Sequence, residues 1–313
     1  MKALVTGGAG FIGSNLVELL LSEGHDVVVL DDLSSGYAEN LFPEAAFVSG
    51  DVSSAGVVDS AASGCDVIFH LAASVGYTRS IDDPIRDSVI NLIGTLRVLE
   101  AARANGIRRI VASSSAGIFG ELKTLPIAED HPQDPDSPYG ASKLAAEKMC
   151  LVYNKLYGMT NVCLRYFNVY GRRQRYDAYG NVIPIFAEKM LRRTAVTIFG
   201  DGDQTRDFVH VADVARANYL AGVSDDAAGA FNIGSATRIS INELASMMAE
   251  LTAGPIEIVH GAPRPGDVRD SLATVEAAKQ AFGFCPSVAL AEGLRGYIEW
   301  LREDPVTAAR WTS

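Results

Sequence analysis

The chain contains 313 residues, 48% of them hydrophobic, and carries a formal net charge of −11. That composition is typical of a globular protein with a sizeable core. The acidic balance argues against a general nucleic-acid or anionic-membrane surface, because such partners need a basic face. We therefore expect any anionic ligand to be held by a few local arginines.

The cysteines and the N-terminal segment indicate a reducing cytoplasm. The four cysteines lie far apart, with no CxxC pair and no clustered histidines, so the sequence predicts neither a disulfide framework nor a metal site. The opening MKALVTGGAG lacks the continuous apolar core and the cleavage site of a signal peptide. No apolar run approaches the roughly 18 residues of a membrane span.

Short β-branched runs alternate with helix-like segments through the first half of the chain. Strands are predicted at KALVTG, DVVVLDD, CDVIFHLAA and RRIVASSS, and helices at SNLVELLLSEG and about 85–104. This βαβ rhythm predicts a parallel sheet with helices on both faces, whose central strands are apolar on both sides. The expected fold class is α/β, a Rossmann-type doubly wound parallel sheet.

The alternating pattern of strands and helices ends after Tyr166. The stretch FNVYGRRQRYDAYGNVIP is too irregular for a strand and too long for a tight turn, which predicts a binding loop. Helices are predicted at IPIFAEKMLRR, about 213–222, ISINELASMMAEL and about 290–302. We expect one domain at 1–167, with about 205–235 returning to it, and a smaller, mainly substrate-binding α/β domain at 168–313.

The first predicted strand leads into TGGAGFIG, which contains Gly8-x-Gly10-x-x-Gly13 and the wider Gly7-x-x-Gly10-x-x-Gly13. Such glycines permit a tight turn, close backbone approach to a pyrophosphate, and close packing of helix on strand. The helix N-terminus adds N–H groups and a positive dipole end. With Asp31 at the tip of the second strand, where an acid meets the adenosine ribose, the motif predicts NAD rather than NADP.

Two further polar residues lie near this end. Asp51 could accept a hydrogen bond from the adenine amine or simply belong to a solvated turn, and the sequence does not separate the two. His70 opens HLAA, whose small residues suit a backbone that passes close to the cofactor. We interpret His70 as a packed polar residue rather than a catalyst.

The candidate catalytic residues follow in SSSAGIFG and YGASK. Tyr139 and Lys143 are four apart on a predicted helix, so they share a face, and an adjacent ammonium would lower the pKa of the tyrosine. Ser113 and Ser115 point the same way from a strand end, where α/β ligands bind. A hydroxyl there could bond a substrate oxygen and the tyrosine; periodicity alone does not choose between the two serines.

Together, the motifs TGGAGFIG, DDLSSG, HLAA, SSSAGIFG, YGASK, RYFNVYG, GDGDQTRDFVHVADVA and RPGD resemble the extended short-chain dehydrogenase/reductase family, specifically its nucleotide-sugar 4-epimerases. The resemblance covers nearly the whole chain. It implies that Tyr139 is the acid/base, that Lys143 binds the nicotinamide ribose and that Ser115 is their hydroxyl partner. It also implies a homodimer packed through about 85–104 and 139–157.

The same resemblance supplies the binding residues. Those expected to bind NAD are Gly7, Gly10, Phe11, Ile12, Gly13, Asp31, Asp51, Val52, Leu71, Ala72, Ala73, Tyr139 and Lys143. Those expected to bind a UDP-sugar are Ser115, Asn168, Arg175, Val182, Ile183, Arg206, Arg264, Asp267 and Ser271. Guanidinium groups suit diphosphate oxygens, although an isolated arginine is more commonly part of a surface ion pair.

Relatives of this kind oxidise the sugar at C4 and differ in the next chemical step. In the family that the chain resembles, 4,6-dehydratases have an Asp-Glu pair after the Ser/Thr. The decarboxylases have a glutamate at the position of Gly117. Ala116 and Gly117 cannot move a proton. The expected reaction is therefore return of the hydride to the other face of the sugar, which is C4 epimerisation.

The sugar itself stays open. UDP-glucose is the default, while a small residue at Ser271 would admit an N-acetyl group, and Arg175 could pair with the carboxylate of UDP-glucuronate or be only a solvated loop charge. The chain departs from the glucuronate pattern at Tyr176 and Ala178, and Phe119 replaces the usual tyrosine. Two other classes are a keto-sugar reductase that releases reduced cofactor and a non-catalytic NAD-binding regulator.

Overall fold

The structure is a computed structural model that describes residues 1–54, 56–175, 181–252, 254, 256–263 and 268–304. Its strands, in chain order, are β1 Lys2–Thr6, β2 Asp26–Asp31, β3 Ala46–Ser49, β4 Val67–His70, β5 Arg109–Ser115, β6 Val162–Tyr166, β7 Asn168–Tyr170, β8 Val196–Phe199, β9 Thr205–Arg206, β10 Phe208–His210, β11 Gly229–Ile233, β12 Ile239–Ser240 and β13 Ile258–Gly261. Its α-helices are α1 Phe11–Ser22, α2 Val57–Ala62, α3 Tyr77–Asp82, α4 Pro84–Ser88, α5 Gly94–Ala104, α6 Pro138–Tyr157, α7 Val182–Leu191, α8 Val211–Val223, α9 Ile241–Leu251, α10 Glu276–Phe282 and α11 Leu290–Glu303.

Seven strands form one parallel sheet in the order β11-β6-β5-β4-β1-β2-β3. Apolar side chains of α1 and α8 cover one face, and those of α2, α5 and α6 cover the other. The central strands are buried on both sides, as the apolar runs predict. The order reverses beside β1, so the carboxyl ends of β1 and β4 open the crevice where ligands of such sheets bind. The predicted α/β doubly wound fold is confirmed.

The remaining strands form three pairs, β7 with β10, β9 with β12, and β8 with β13. A third apolar core unites α7, α9 and α11 with these pairs. The expectation that the segment after Tyr166 contains no strand is wrong for Asn168–Tyr170, which pairs in parallel with Phe208–His210. Its backbone is paired by residues about 40 positions away, a partner that local composition cannot reveal.

The helix predicted at about 85–104 is continuous but contains one π-turn, Val89–Ile93, between α4 and α5. The wider turn places Asn91 inside the protein, where its side-chain amide donates to the Ser74 carbonyl at 3.1 Å and accepts from the Ser74 N–H at 2.9 Å. Such turns occur preferentially at functional sites. Among the described residues, no helix combines the length and the apolar character needed to cross a membrane.

A buried ion pair attaches α6 to the centre of the sheet. The carboxylate of Glu147 accepts from Arg165 Nε at 3.0 Å and from Nη2 at 2.8 Å, and both side chains are almost fully buried. Ser114 at the end of β5 donates to the same carboxylate at 2.7 Å. Charged groups removed from water need such complete pairing, because an unpaired buried charge is strongly destabilising.

We expect Glu147→Gln to lower the free energy of unfolding by about 3 kcal/mol, because it leaves the Arg165 guanidinium buried without a counter-charge. Urea denaturation measures the loss. Glu100→Gln is the matched control, since Glu100 pairs with Arg103 at the surface, where side chains are about half exposed, and an exposed pair contributes less than about 1 kcal/mol. Equal losses in the two variants would contradict this role for the buried pair.

Candidate active site

The glycine-rich turn after β1 is a cradle that any side chain would fill. Gly7 has a φ of +71°, and a Cβ there would lie 2.6 Å from the backbone nitrogen of Ala72. A Cβ on Gly13 would collide with the Gly7 carbonyl oxygen. Gly10 caps α1 without a side chain, which leaves the first-turn N–H groups facing the turn. This geometry fits a pyrophosphate held by backbone amides at a helix N-terminus.

Asp31, at the end of β2, is tied to the same turn. One carboxylate oxygen accepts from the Ala9 N–H at 2.9 Å and the other from the Leu33 N–H at 2.8 Å. Burial raises the pKa of Asp31, while these two backbone hydrogen bonds lower it. Each oxygen retains a second lone pair, so the carboxylate can still accept from a ribose hydroxyl.

The other residues expected near NAD fall into two groups. Leu71, Ala72 and Ala73 continue β4 across the glycine turn, and Ala72 N–H donates to Thr6 Oγ1 at 3.3 Å. Asp51 instead closes its own turn, because one carboxylate oxygen accepts from both the N–H and the hydroxyl of Ser53 at 2.8 Å. This contact matches the interpretation of Asp51 as part of a turn. It leaves the second carboxylate oxygen available to accept a hydrogen bond from a ligand.

Val52 and His70 are packed into the protein. Val52 is buried against the backbone of Gly94, where an added Cβ would lie 2.9 Å from it. His70 bonds to Thr6 Oγ1 at 2.8 Å and to Thr95 Oγ1 at 3.0 Å, and burial with the nearby Lys143 charge lowers its pKa to about 3. A histidine held neutral between two hydroxyls is a packed polar residue, as we expected.

Each serine of SSSAGIFG interacts with a different residue of α6. Ser113 accepts from Lys143 Nζ at 3.0 Å, and the lysine also donates to the Ser113 carbonyl at 2.9 Å. Ser114 bonds the buried Glu147, as described above. Ser115 lies beside Tyr139, where its hydroxyl lowers the pKa of the phenol, and its Oγ accepts from the Gly117 N–H at 3.1 Å. The structure therefore brings Ser115, Tyr139 and Lys143 together at the end of β5, and gives Ser113 the separate task of holding the lysine.

The electrostatics of this cluster differ in one respect from our expectation. Burial raises the pKa of Tyr139, a nearby buried carboxylate at Asp87 raises it further, and the Ser115 hydrogen bond lowers it. Burial lowers the pKa of Lys143 to about 8, against the opposing effect of Asp87. The pKa of Tyr139 is thus raised overall, whereas we expected it to be lowered, and the Lys143 ammonium is hydrogen-bonded to Ser113 rather than to the phenol.

The residues after Ser115 lie against the same pair. A Cβ built on Gly117 would lie 3.4 Å from Ser115 Oγ and 3.7 Å from the Tyr139 ring. A carboxylate at this position would therefore reach the hydroxyls of Ser115 and Tyr139, and the chain has none there. Phe119 is fully buried between the His131 ring and the Arg165 guanidinium. The tyrosine-to-phenylalanine departure is thus a core substitution.

Three of the residues expected to bind the UDP-sugar gather around β9. The Asn168 amide donates to the Asp207 carbonyl at 3.0 Å, and Ser271 N–H donates to the Thr205 carbonyl at 3.1 Å. The Nη1 atom of Arg206 donates to the Thr205 carbonyl at 2.8 Å. The Arg206 side chain and Phe208 line a cavity of about 410 Å³.

The other predicted substrate residues are less constrained. Val182 and Ile183 form the first turn of α7, the former half-buried and the latter buried. Arg175 is exposed. Arg264 and Asp267 lie outside the described residues, as do Tyr176 and Ala178.

The sequence interpretation missed two buried acids. Asp207 accepts from Ser235 N–H and Oγ at 2.7 Å and from Ala273 N–H at 3.1 Å, so it holds together the loops around Arg206. Asp87 lies beside the first turn of α6. The sequence could have revealed Asp207, because an acid inside the run RDFVHV suggests a buried partner. No comparable pattern surrounds Asp87. Within the described ranges, no three His, Cys, Asp or Glu side chains lie close enough to hold a metal ion.

The chain is similar to known proteins over nearly its whole length. A family model described as the NAD dependent epimerase/dehydratase family matches residues 3–234. The UDP-glucose 4-epimerase of Mycolicibacterium smegmatis is 42% identical over 309 residues, covering 96% of this chain and 99% of that protein.

Two solved structures share nearly the whole fold. The UDP-glucose 4-epimerase of Thermotoga maritima, solved with UDP-glucose, superposes with a TM-score of 0.93 at 39% identity, covering 97% of this chain and 99% of that one. The UDP-N-acetylglucosamine 4-epimerase of Methanobrevibacter ruminantium, in complex with UDP-N-acetylmuramic acid, gives 0.92 at 33% identity, covering 96% and 98%.

Proposed function

Because the chain belongs to the NAD dependent epimerase/dehydratase family, we propose that it catalyses NAD-dependent C4 epimerisation of a UDP-sugar, with UDP-glucose and UDP-galactose as the default pair. The observation that carries the proposal is the contact of Tyr139 with Ser115, beside Gly117. This pair can move one proton, and the chain provides no carboxylate at Gly117 for a second proton transfer.

The residues of the chain divide the work of the reaction. When bound, NAD accepts a hydride from the sugar C4 and returns it. Tyr139 removes the proton of the C4 hydroxyl and later gives it back, and Ser115 orients that hydroxyl by hydrogen bonding. Lys143, held by Ser113 at 2.9 and 3.0 Å, binds the nicotinamide ribose as an ammonium. Ala116 and Gly117 supply no acid or base, which disfavours elimination and decarboxylation.

Epimerisation needs an anchored nucleotide and a sugar that can turn over. We assign the cradle of Gly7, Gly10, Phe11, Ile12 and Gly13 to the pyrophosphate of NAD, and Asp31 to its ribose. For the UDP half, we assign Asn168, Val182, Ile183, Arg206, Arg264 and Asp267. Residues 1–167, with the return at about 205–235, would then bind NAD, and the remainder of 168–313 would bind the UDP-sugar. The pairing of β11 with β6 in the large sheet supports such a return.

Two residues favour other sugars as alternative substrates. Arg175 is an exposed cation in the loop that follows β7, and it could pair with the C6 carboxylate of UDP-glucuronate. Ser271 is small and buried near Arg206 through Thr205, which leaves room for an N-acetyl group on the sugar. UDP-glucuronate and UDP-N-acetylglucosamine are therefore the alternatives to UDP-glucose.

We propose that the enzyme is a cytoplasmic homodimer. Exposed apolar side chains at Ile85, Val89 and Ile93 recur every four residues along one helical face, beside Val152 and Leu156 on α6. Two such adjacent faces favour a four-helix interface with a second copy, because a contiguous apolar patch of this kind marks an association site. The four cysteines are free thiols, which suits a reducing compartment.

We expect Tyr139→Phe to lower kcat for UDP-glucose epimerisation at least about 100-fold, because the variant lacks the acid/base hydroxyl. Absorbance and mass analysis of the purified protein should still find bound NAD, since the cradle is untouched. Tyr153→Phe on the same helix is the control and should retain wild-type turnover. Unchanged turnover in Tyr139→Phe would remove that residue from the mechanism.

The same assay separates an epimerase from a net oxidoreductase. An epimerase needs no added cofactor and leaves NAD unchanged after each cycle. Stoichiometric release of NADH from UDP-glucose would contradict the proposal, and the absence of turnover with an intact NAD complement would favour a regulator.

We expect a panel of UDP-glucose, UDP-N-acetylglucosamine and UDP-glucuronate to identify the sugar. If Arg175 pairs with a uronate, Arg175→Ala should lower kcat/KM for UDP-glucuronate about 10-fold or more and leave UDP-glucose unchanged, because one charge-assisted hydrogen bond is lost. Arg172→Ala is the matched control, since it removes an exposed guanidinium of the same segment, one that bonds Glu18 at 2.6 Å. Equal effects on all three sugars would dismiss Arg175 as a specificity residue.

We expect Leu156→Arg to convert the dimer to a monomer, because a charge would be buried in the apolar contact. Sedimentation equilibrium measures the mass. Val223→Arg is the control, since that exposed valine lies on α8, outside the proposed interface. A wild-type protein that sediments as a monomer at micromolar concentration would contradict the proposed assembly.

A further inference from the structure

A buried carboxylate lies behind the catalytic helix and takes no part in the proposed chemistry. Asp87, on α4, is only 1% exposed. One oxygen accepts from Ser142 Oγ at 2.5 Å, and the other accepts from Asn91 Nδ2 at 3.2 Å. Both of these partners are neutral groups. A buried acid supported in this way is costly to keep, which prompts the question of what it does.

The position of Ser142 connects Asp87 to the reacting groups. Ser142 lies in the first turn of α6, between Tyr139 and Lys143, and its Oγ is 3.0 Å from the Tyr139 carbonyl oxygen. The same hydroxyl accepts from Asn91 Nδ2 at 3.0 Å. This chain of hydrogen bonds fixes the orientation of the turn that carries both catalytic side chains, and it places the negative charge of Asp87 close to them.

That charge acts on both catalytic groups in the same direction. It raises the pKa of Lys143, against burial, which lowers it to about 8. It also raises the pKa of Tyr139, in addition to the larger effect of burial. Asp87 thus favours the ammonium on Lys143 and opposes the phenolate on Tyr139.

Other titratable groups surround these two side chains. Lys143 also interacts with His70, Cys150 and Cys163, and Tyr139 with the buried phenol of Tyr166. Helix α3, which packs against α4, carries Arg79 and Asp82, and Asp83 and Arg86 flank Asp87 on its own helix. His70 is neutral near pH 7 because its pKa is lowered to about 3.

We propose that Asp87 is a positioning residue whose fixed negative charge, held beside the first turn of α6 by its hydrogen bond to Ser142, keeps Lys143 an ammonium and Tyr139 a neutral phenol in the resting site. This inference rests on the roles proposed above for Tyr139 and Lys143. Removing the charge makes it easier for both groups to lose a proton. The alkaline limb of the rate profile, set by Lys143, therefore moves to lower pH, and so does the midpoint at which Tyr139 loses its proton. A merely structural residue would lower the whole profile without moving its limbs.

The test measures kcat for UDP-glucose epimerisation by the holoenzyme between pH 5 and 10. We expect Asp87→Asn, which keeps the size of the side chain, to move the alkaline limb down by about one pH unit. Asp87→Glu should restore the wild-type limbs. Ser142→Ala should lower kcat without moving the limbs, since it removes the bridge and keeps the charge. Asp82→Asn, an equal charge change at an exposed site, should match the wild type.

A second readout does not depend on epimerisation. The phenolate absorbance of each protein is titrated and compared with that of its Tyr139→Phe counterpart, which isolates the ionisation of Tyr139. A lower Tyr139 midpoint in Asp87→Asn supports the inference even if no sugar is epimerised, in which case only the proposed function fails. Wild-type limbs and a wild-type midpoint in a folded Asp87→Asn protein would overturn the inference.

Discussion

The ion pair between Glu147 and Arg165 joins helix α6 to the middle of the sheet, and the candidate site depends on that attachment. Helix α6 supplies both Tyr139 and Lys143, so the distance from these side chains to Ser115 is set by how α6 lies on β5 and β6. The pair is bidentate and buried, with Ser114 as a third partner. One helical turn further from the N-terminus than Lys143, it fixes the helix both along its axis and in rotation.

The cofactor end is governed by a different constraint, which is close approach of backbone to backbone. Gly7 and Gly13 leave no space for a Cβ, and the start of α1 is capped by a residue without a side chain. Asp31 holds this turn from the side through the Ala9 N–H. The two ends are therefore built in opposite ways: glycines without side chains form the cofactor cradle, and polar side chains form the cluster of Ser115, Tyr139 and Lys143.

Much of this could be predicted from the sequence. The apolar runs and the glycine spacing predicted the parallel sheet and the dinucleotide turn, because both are local patterns with a fixed physical meaning. The i, i+4 spacing placed Tyr139 and Lys143 on one face. The rest depended on packing between distant segments, since Asp87 meets Ser142 across 55 residues and the partner of Lys143 is decided by where α6 crosses β5. Periodicity assumed 3.6 residues per turn, so it could not reveal the π-turn at Val89–Ile93.

The π-turn limits how this helical segment can change in length. Its extra backbone residue turns Asn91 inward toward Ser142 while Val89 and Ile93 stay on the outer face. This short helical segment thus contributes both to the surface proposed to contact the second subunit and to the hydrogen bonds beneath the first turn of α6. An insertion or deletion there would rotate both together. Mutation can change the outer side chains one at a time, but it cannot change the length of this segment without altering the interior.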